Sequence, residues 1–338
     1  MRKIVLKRGA NALDHLVQVE EDVPRPGPGE VLVRVRACSL NYRDQMIALG
    51  RYVGGLTDRD VVPLSDGAGE IVEAGADVRR FRSGDRVAGT FFRNWYDGLP
   101  HPAAGPALGA PPADGMLADY VVLPERGVVP IAASLSFEEA ATLPCAGVTA
   151  WHALMEGPRP VRPGGRVLVL GTGGVSLLAL QIARAAGAEV IVTSSSDAKL
   201  VRAGALGASH GINYRTQPDW GRAAVGLAGD AGIGHVVETG GVGTLAQSME
   251  AVGFNGEIAL IGVMTVGQMS PPYMLMGKGA SIRGIFVGSG AMAERLNAAI
   301  DANGIKPAID RVFPLEETIE AYRYQASDAL FGKVVIRL

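Results

Sequence analysis

Two cysteines, Cys38 and Cys145, are all that this 338-residue chain contains. They cannot build a disulfide framework or a four-cysteine zinc site by themselves, and a reduced, cytoplasmic protein is the simplest expectation. Long apolar runs are also missing. The most apolar stretch, "VLVLGTGGVSLLALQIARAAGAEVIV", is broken by glycines and an arginine, so it reads as a buried strand, helix and strand rather than a membrane span. The opening "MRKIVLKRGANALDHLVQVEED" is basic but lacks the apolar core and small-residue cleavage site of a signal peptide. A formal net charge of -2 gives no electrostatic reason to expect nucleic acid or an anionic membrane as partner. His15, His101, His152, His210 and His235 show no metal-ligand spacing and read as surface or packing residues.

The chain is too long for one ordinary hydrophobic core, so two domains are expected. Residues 1–128 read as mainly β: "EVLVRVRACSL", "GAGEIVEAG", "DRVAGTFF" and "LADYVVLP" are short apolar runs, with turn signals such as "RPGPGE" and "RSGD" before or between them. Residues 91–116, rich in Pro, Gly and Ala, form a connection of a length that is usually functional or mobile. From 129 to 288 six strands alternate with helices, which predicts a doubly wound parallel sheet. The last segment, 289–338, breaks the alternation and is expected to return to the first domain. The fold class is therefore α/β.

A cofactor site is legible in "GTGGVS". Gly171, Gly173 and Ser176 take the three key places of a G-x-G-x-x-G fingerprint, with Thr172, Gly174 and Val175 between them. The first two glycines let the chain turn and the backbone approach a pyrophosphate, and the third place needs only a small residue. Its position after "VLVL" and at the start of a helix makes the signal specific. The second strand ends "VTSSSDAK". Ser194 and Ser195 stand where an acid would hold ribose hydroxyls, and Lys199 adds a positive charge, which suits NADP(H); the alternative is that Asp197 is the ribose ligand and Lys199 a solvated helix residue.

Five stretches together, "PRPGPGEVLVRVRACSLNYRD", "GAGEIVEAGADVRRFRSGDRVAG", "AATLPCAGVTAWHAL", "PGGRVLVLGTGGVSLLALQIARAAGA" and "GKVVIRL", resemble the medium-chain dehydrogenase/reductase superfamily, and within it the zinc-free quinone oxidoreductase and enoyl reductase branches. The resemblance implies a GroES-like β-rich catalytic domain, a Rossmann domain, and an active site in the cleft between them. It also implies that Ser195, Lys199 and Tyr214 surround the 2'-phosphate of NADP(H). It sets Gly262, Val263 and Phe286 against the nicotinamide and adds Thr149 to the cofactor set. Two subunits are expected to pair along "SIRGIFVGS", an apolar edge strand that must be covered, giving a homodimer.

Laid on the zinc-dependent members, Asn41 of "NYRD" falls at the first ligand position, Ser65 of "LSD" at the second, and only Cys145 keeps a good ligand. Amide and hydroxyl groups hold zinc poorly, so no metal is expected; a substitute set of Asp66, Asp44 and Cys145 is the alternative. Without metal, hydride from NADPH to a conjugated enone, enoyl ester or quinone would build charge on a carbonyl oxygen, and Asn41 and Tyr52 are the candidate donors. Asn41 as a turn cap and Tyr52 as a loop-lining residue remain open, as does a wall role against a packing role for Phe91, Phe92, Trp95 and Tyr96. Arg43 and Asp44 are expected to pair with each other or with backbone. Cys38 reads as a packed strand residue. An NAD(P)-dependent alcohol dehydrogenase and a catalytically silent nucleotide-binding sensor are the rival functions.

Overall fold

The computed structural model describes every residue except Val263, Met264, Val266 and Met269. The chain forms two compact units, residues 1–148 with 288–338, and residues 149–287. The first boundary lies at 148/149 rather than 128/129 because the strand Val128–Pro130 pairs with Arg86–Gly89 and the Cys145 backbone N–H bonds Asp66. The second lies at 287/288, one residue before the expected place. The C-terminal segment, 288–338, lies in the first unit.

In the first unit the strand Glu30–Ser39 is the hub. It pairs antiparallel with Asp66–Ala74 along its length, with Tyr120–Pro124 over its first half and with Lys333–Arg337 over its last residues. Its Val31, Leu32, Val33, Val35 and Cys38 are all buried, and the C-terminal Phe313, Leu315 and Tyr322 join the same core. One consequence is that three strand ends meet: Ser39 lies opposite Asp66 on one side and Val335 on the other. Asn41 and Lys333 fall just beyond those pairs.

The second unit is a six-stranded sheet in the order His210–Asn213, Glu189–Ser194, Arg166–Val169, Ile233–Glu238, Val252–Leu260, Ser281–Gly284, and every neighbouring pair is parallel. The chain winds outward from Arg166–Val169 in both directions, so the crevice at that strand's C-terminal end is where doubly wound sheets take their ligands. Ser281–Gly284 is the edge strand, as the sequence predicts. Among the described residues no helix is long and apolar enough to cross a membrane.

A Cβ at Gly69, within Asp66–Ala74, would lie 2.1 Å from the Arg34 carbonyl oxygen, whereas one at Gly226, inside the helix Trp220–Ala228, meets nothing within 4 Å. Gly69→Ala should therefore destabilise the protein by about 3 kcal/mol, while Gly226→Ala should be neutral or stabilise by up to ~1 kcal/mol. Denaturant unfolding of both variants checks the contrast.

Candidate active site

The second unit shapes a dinucleotide cradle. The helix Gly174–Ala185 starts at Gly173 immediately after the first strand. Gly171 has φ +75°, and neither it nor Gly173 has any atom within 4 Å of the place a Cβ would take. That empty backbone surface at the N-terminus of a twelve-residue helix fits a pyrophosphate. The turn is tied down from within: the Ser176 hydroxyl donates to the Leu170 carbonyl at 2.6 Å and the Gly171 N–H donates to Thr193 Oγ1 at 3.2 Å. Ser176 is buried, consistent with a packing role at the third fingerprint place. Thr172 is buried, Gly174 and Val175 are partly exposed in the first helical turn, and Thr149 is buried on the helix Val148–Met155.

Ser194, Ser195, Lys199 and Tyr214 gather at two adjacent strand ends. Ser194 is the last residue of its strand, opposite Asn213, and the Tyr214 N–H donates to the Ser194 carbonyl at 3.0 Å. Lys199 sits in the first turn of the helix Asp197–Ala205, its N–H capped by the Ser196 hydroxyl. The Asp197 carboxylate accepts from the Asn213 side-chain amide at 2.8 Å, so the acid closest to a ribose-binding position is engaged in tying these two strand ends together.

Gly262 has no room for a side chain, because a Cβ there would meet the Thr239 carbonyl oxygen at 1.6 Å. Val263 lies outside the described residues. Phe286 is exposed and precedes Val287, whose φ of +53° is an outlier for a β-branched residue; the Val287 carbonyl oxygen lies 2.6 Å from His152 Nδ1. The sequence reading missed Glu238. Fully buried, it accepts from the Gly240 and Gly241 N–H groups at 2.8 and 3.0 Å and from the Thr244 and Ser248 hydroxyls, fixing the end of the fourth strand.

The first unit brings together Asn41, Ser65, Asp66 and Cys145 around a residue not singled out from sequence, Lys333. Its side chain, 4% exposed, donates to the Leu40 carbonyl and to Asn41 Oδ1, both at 2.6 Å, and lies 3.9 Å from Asp66 Oδ2. The Ser65 hydroxyl donates to Asp66 Oδ1 at 2.8 Å, and the Cys145 N–H donates to Asp66 Oδ2 at 3.3 Å. An amine only donates, so it fixes the Asn41 amide with its oxygen inward and its NH2 group facing Ser65, 3.5 Å away. Burial raises the Asp66 carboxyl above its usual range, opposed by Lys333 and its hydrogen bonds. Burial and the Asp66 charge push the Cys145 thiol well up.

This donor set does not fit a zinc ion. The position is filled by the Lys333 side chain, and two of the three places that the resemblance gives to ligands carry amide and hydroxyl, which hold zinc poorly. The substitute set fares no better, since Asp66 is committed to Lys333, Ser65 and Cys145, and Asp44 Oδ2 accepts from the Asn41 backbone N–H at 2.7 Å. Among the described residues no group of three or more His, Cys, Asp or Glu could hold a metal.

Asn41 is also the N-cap position of the helix Tyr42–Ala48, but its side chain is engaged with Lys333. Arg43 and Asp44 pair at 3.7 Å, and Arg43 Nη1 donates to the Leu108 carbonyl at 2.8 Å. Tyr52 packs on the Arg43 guanidinium, 5.3 Å from it to the ring centre, with Phe91 at 4.9 Å. Phe91, Phe92 and Trp95 are buried, Phe91 meeting Phe92 edge to face and Phe92 tilted against Trp95; Tyr96 is exposed and meets Arg80. The 91–116 segment also clamps Leu64, whose φ is +67°: a Cβ at Gly115 would lie 2.1 Å from the Leu64 carbonyl oxygen. That clamp holds a strained residue directly before Ser65 and Asp66. Cys38 lies fully buried in its strand, its thiol donating to the Met116 carbonyl at 3.1 Å.

Residues 27–133 match the alcohol dehydrogenase GroES-like domain and residues 174–302 the zinc-binding dehydrogenase family. The chain is a medium-chain dehydrogenase/reductase, an oxidoreductase whose fold binds a nicotinamide dinucleotide. Among its relatives, a zinc-type alcohol dehydrogenase-like protein of Schizosaccharomyces pombe is 47% identical, covering 97% of this chain and 96% of its own. A putative alcohol dehydrogenase of Sinorhizobium meliloti, whose crystal structure is known, is 44% identical with a TM-score of 0.89 over the whole of both chains. A 2-methylene-furan-3-one reductase of Solanum lycopersicum is 29% identical, covering 93% of this chain and 73% of its own.

Two outcomes follow from the electrostatics. Burial, opposed first by Arg43, raises Asp44 to about 6. A carboxyl whose folded pKa lies above its unfolded value binds more protons when folded, so its contribution to stability falls as pH rises from about 4 to 6. Asp44→Asn should abolish that part of the slope, worth up to about 3 kcal/mol, in unfolding measured across the window. Lys333→Met, which strands Asp66, should cost roughly 3–5 kcal/mol, and adding Asp66→Asn should recover much of it; a double-mutant cycle reads the coupling.

Proposed function

We propose that the protein is a zinc-independent, NADPH-dependent reductase of a small conjugated enone, enoyl ester or quinone, acting in the cytoplasm. The observation that carries this reading is the Asn41 amide held by Lys333 at the place a metal would occupy: a fixed neutral donor, backed by a cation, in a buried setting. Such a donor stabilises the negative charge that appears on a carbonyl oxygen when a conjugated carbon accepts hydride. When bound, NADPH supplies the hydride. The Asn41 Nδ2 group donates to the developing oxyanion, and Tyr52 donates a second hydrogen bond or the proton that completes the reduction.

NADPH is preferred over NADH in this reading because Ser194, Ser195, Lys199 and Tyr214 share one corner while the nearby Asp197 is tied to Asn213. The printed name of the tomato relative, an enone reductase, supports the substrate class. The names of the two alcohol dehydrogenase-like relatives favour carbonyl reduction or alcohol oxidation instead, and a chain with that activity would reduce simple aldehydes as readily as enones.

Asn41→Ala should lower kcat/KM for an enone on the order of 10²-fold and Tyr52→Phe about tenfold, both with unchanged NADPH binding. Lys199→Ala should weaken NADPH roughly tenfold or more and leave NADH unaffected. Steady-state kinetics with 2-alkenals and quinones, beside titrations with both cofactors, decide it; wild-type kcat/KM in the Asn41 and Tyr52 variants removes the assignment.

A homodimer completes the proposal. Ser281–Gly284 is an edge strand; Phe254 on the neighbouring strand Val252–Leu260, Tyr273 at the N-cap of the helix Met274–Lys278 and Met276 within that helix are exposed. Covering such an edge with a second copy satisfies both its backbone and its apolar side chains. Sedimentation velocity should give a dimer for the native chain and monomer for the Phe254→Asp, Met276→Asp variant.

A further inference from the structure

Arg43 carries more hydrogen-bonding capacity than the fold uses. Its side chain is 10% exposed; Nη1 donates to the Leu108 carbonyl at 2.8 Å and lies 3.7 Å from Asp44, and the Tyr52 hydroxyl is a further polar neighbour of the group. Nε and Nη2 are buried with no hydrogen-bond partner. These two nitrogens share one edge of the guanidinium, and their parallel N–H groups form the fork that matches the two oxygens of a carboxylate. Leaving a charged group's donors unmade in a buried place costs more than the 1–3 kcal/mol typical of a neutral one.

Among the described residues none makes a hydrogen bond to these two nitrogens. Asp44 approaches the opposite nitrogen, and its Oδ2 is already held by the Asn41 N–H. Tyr52 and Phe91 flank the guanidinium, their ring centres 5.3 and 4.9 Å from its central carbon, so the cationic fork has aromatic neighbours. The same carboxylate, Asp44, touches both the Asn41 backbone and Arg43, so the fork is mechanically linked to the residue proposed to polarise the substrate's carbonyl.

We propose that the Nε/Nη2 edge of Arg43 is a carboxylate subsite, so that the preferred substrate is an enone or quinone that also bears a carboxylate. This rests on the enone and quinone reading for the rest of the substrate, but the subsite itself is a binding claim. Because the fork atoms are closed off from water, entry requires a covering side chain to shift. Tyr52 is the candidate, in a segment whose Val53 and Leu56 are exposed.

The test separates the two claims. Levulinate, a saturated 4-oxo acid that cannot accept hydride at an alkene, and methyl levulinate are titrated calorimetrically into the NADPH-loaded protein, and 4-oxopent-2-enoate and its methyl ester are compared as substrates. The acid should bind at least ~10-fold tighter than the ester, the worth of one charge-assisted pair. That preference should vanish in Arg43→Met and shrink in Arg43→Lys, which keeps a cation but has no fork. Equal binding of acid and ester by the wild-type chain, or an unchanged preference in Arg43→Met, overturns the subsite, even if the neutral enone is reduced. Arg43-dependent binding of levulinate without turnover of either enone upholds the subsite and defeats the enone reading. If Arg43→Met does not fold, the wild-type ratio and Arg43→Lys decide.

Discussion

The first unit turns on one buried amine. Lys333 enters the fold from the last strand and finds at its tip a carbonyl oxygen, an amide oxygen and, slightly further off, a carboxylate. Burying an isolated ammonium or carboxylate is expensive, and only mutual pairing with hydrogen bonds makes it tolerable. Each member of the cluster therefore depends on the others. Asp66 needs Lys333, Ser65 and the Cys145 N–H, and Asn41 is oriented because an amine accepts nothing in return. The strained Leu64 and the glycines that clamp it hold the loop in which Ser65 and Asp66 begin.

In the proposed reaction one way of polarising an oxygen takes the place of another. A metal ion draws charge as a Lewis acid; the proposed donor is a fixed amide, with a cation behind it, whose hydrogen bond has a set direction. Preorganised donors of this kind act without reorganising during reaction. In the second unit the same economy applies to the backbone. The cradle at Gly171 and Gly173 and the closely packed Gly262 give space where a dinucleotide needs backbone contact and forbid side chains where strands must approach.

Local patterns in the sequence predict much of this, and long-range pairing accounts for what they miss. The Rossmann fingerprint, the six strands and the edge position of "SIRGIFVGS" follow from periodicity and glycine chemistry within short windows. That Asn41 and Ser65 stand where the resemblance puts metal ligands is visible because it rests on residue type at fixed spacing. Lys333 is not visible, since nothing in "GKVVIRL" shows that its amine meets Asn41, 292 positions away. Glu238 escapes for the related reason that "VVETGG" gives no sign of four donors converging on one carboxylate. The domain boundary at 148/149 is missed because Val128–Pro130 pairs with an earlier strand, which composition does not record.

The central claim is that the Asn41, Ser65, Cys145 position holds a lysine and not a metal. Elemental analysis of protein produced in zinc-replete medium, followed by a zinc titration of the purified chain, tests it most directly. The account predicts far less than one zinc per chain and no saturable binding that depends on Cys145. One tightly held zinc per chain, lost on Cys145→Ala, would contradict it.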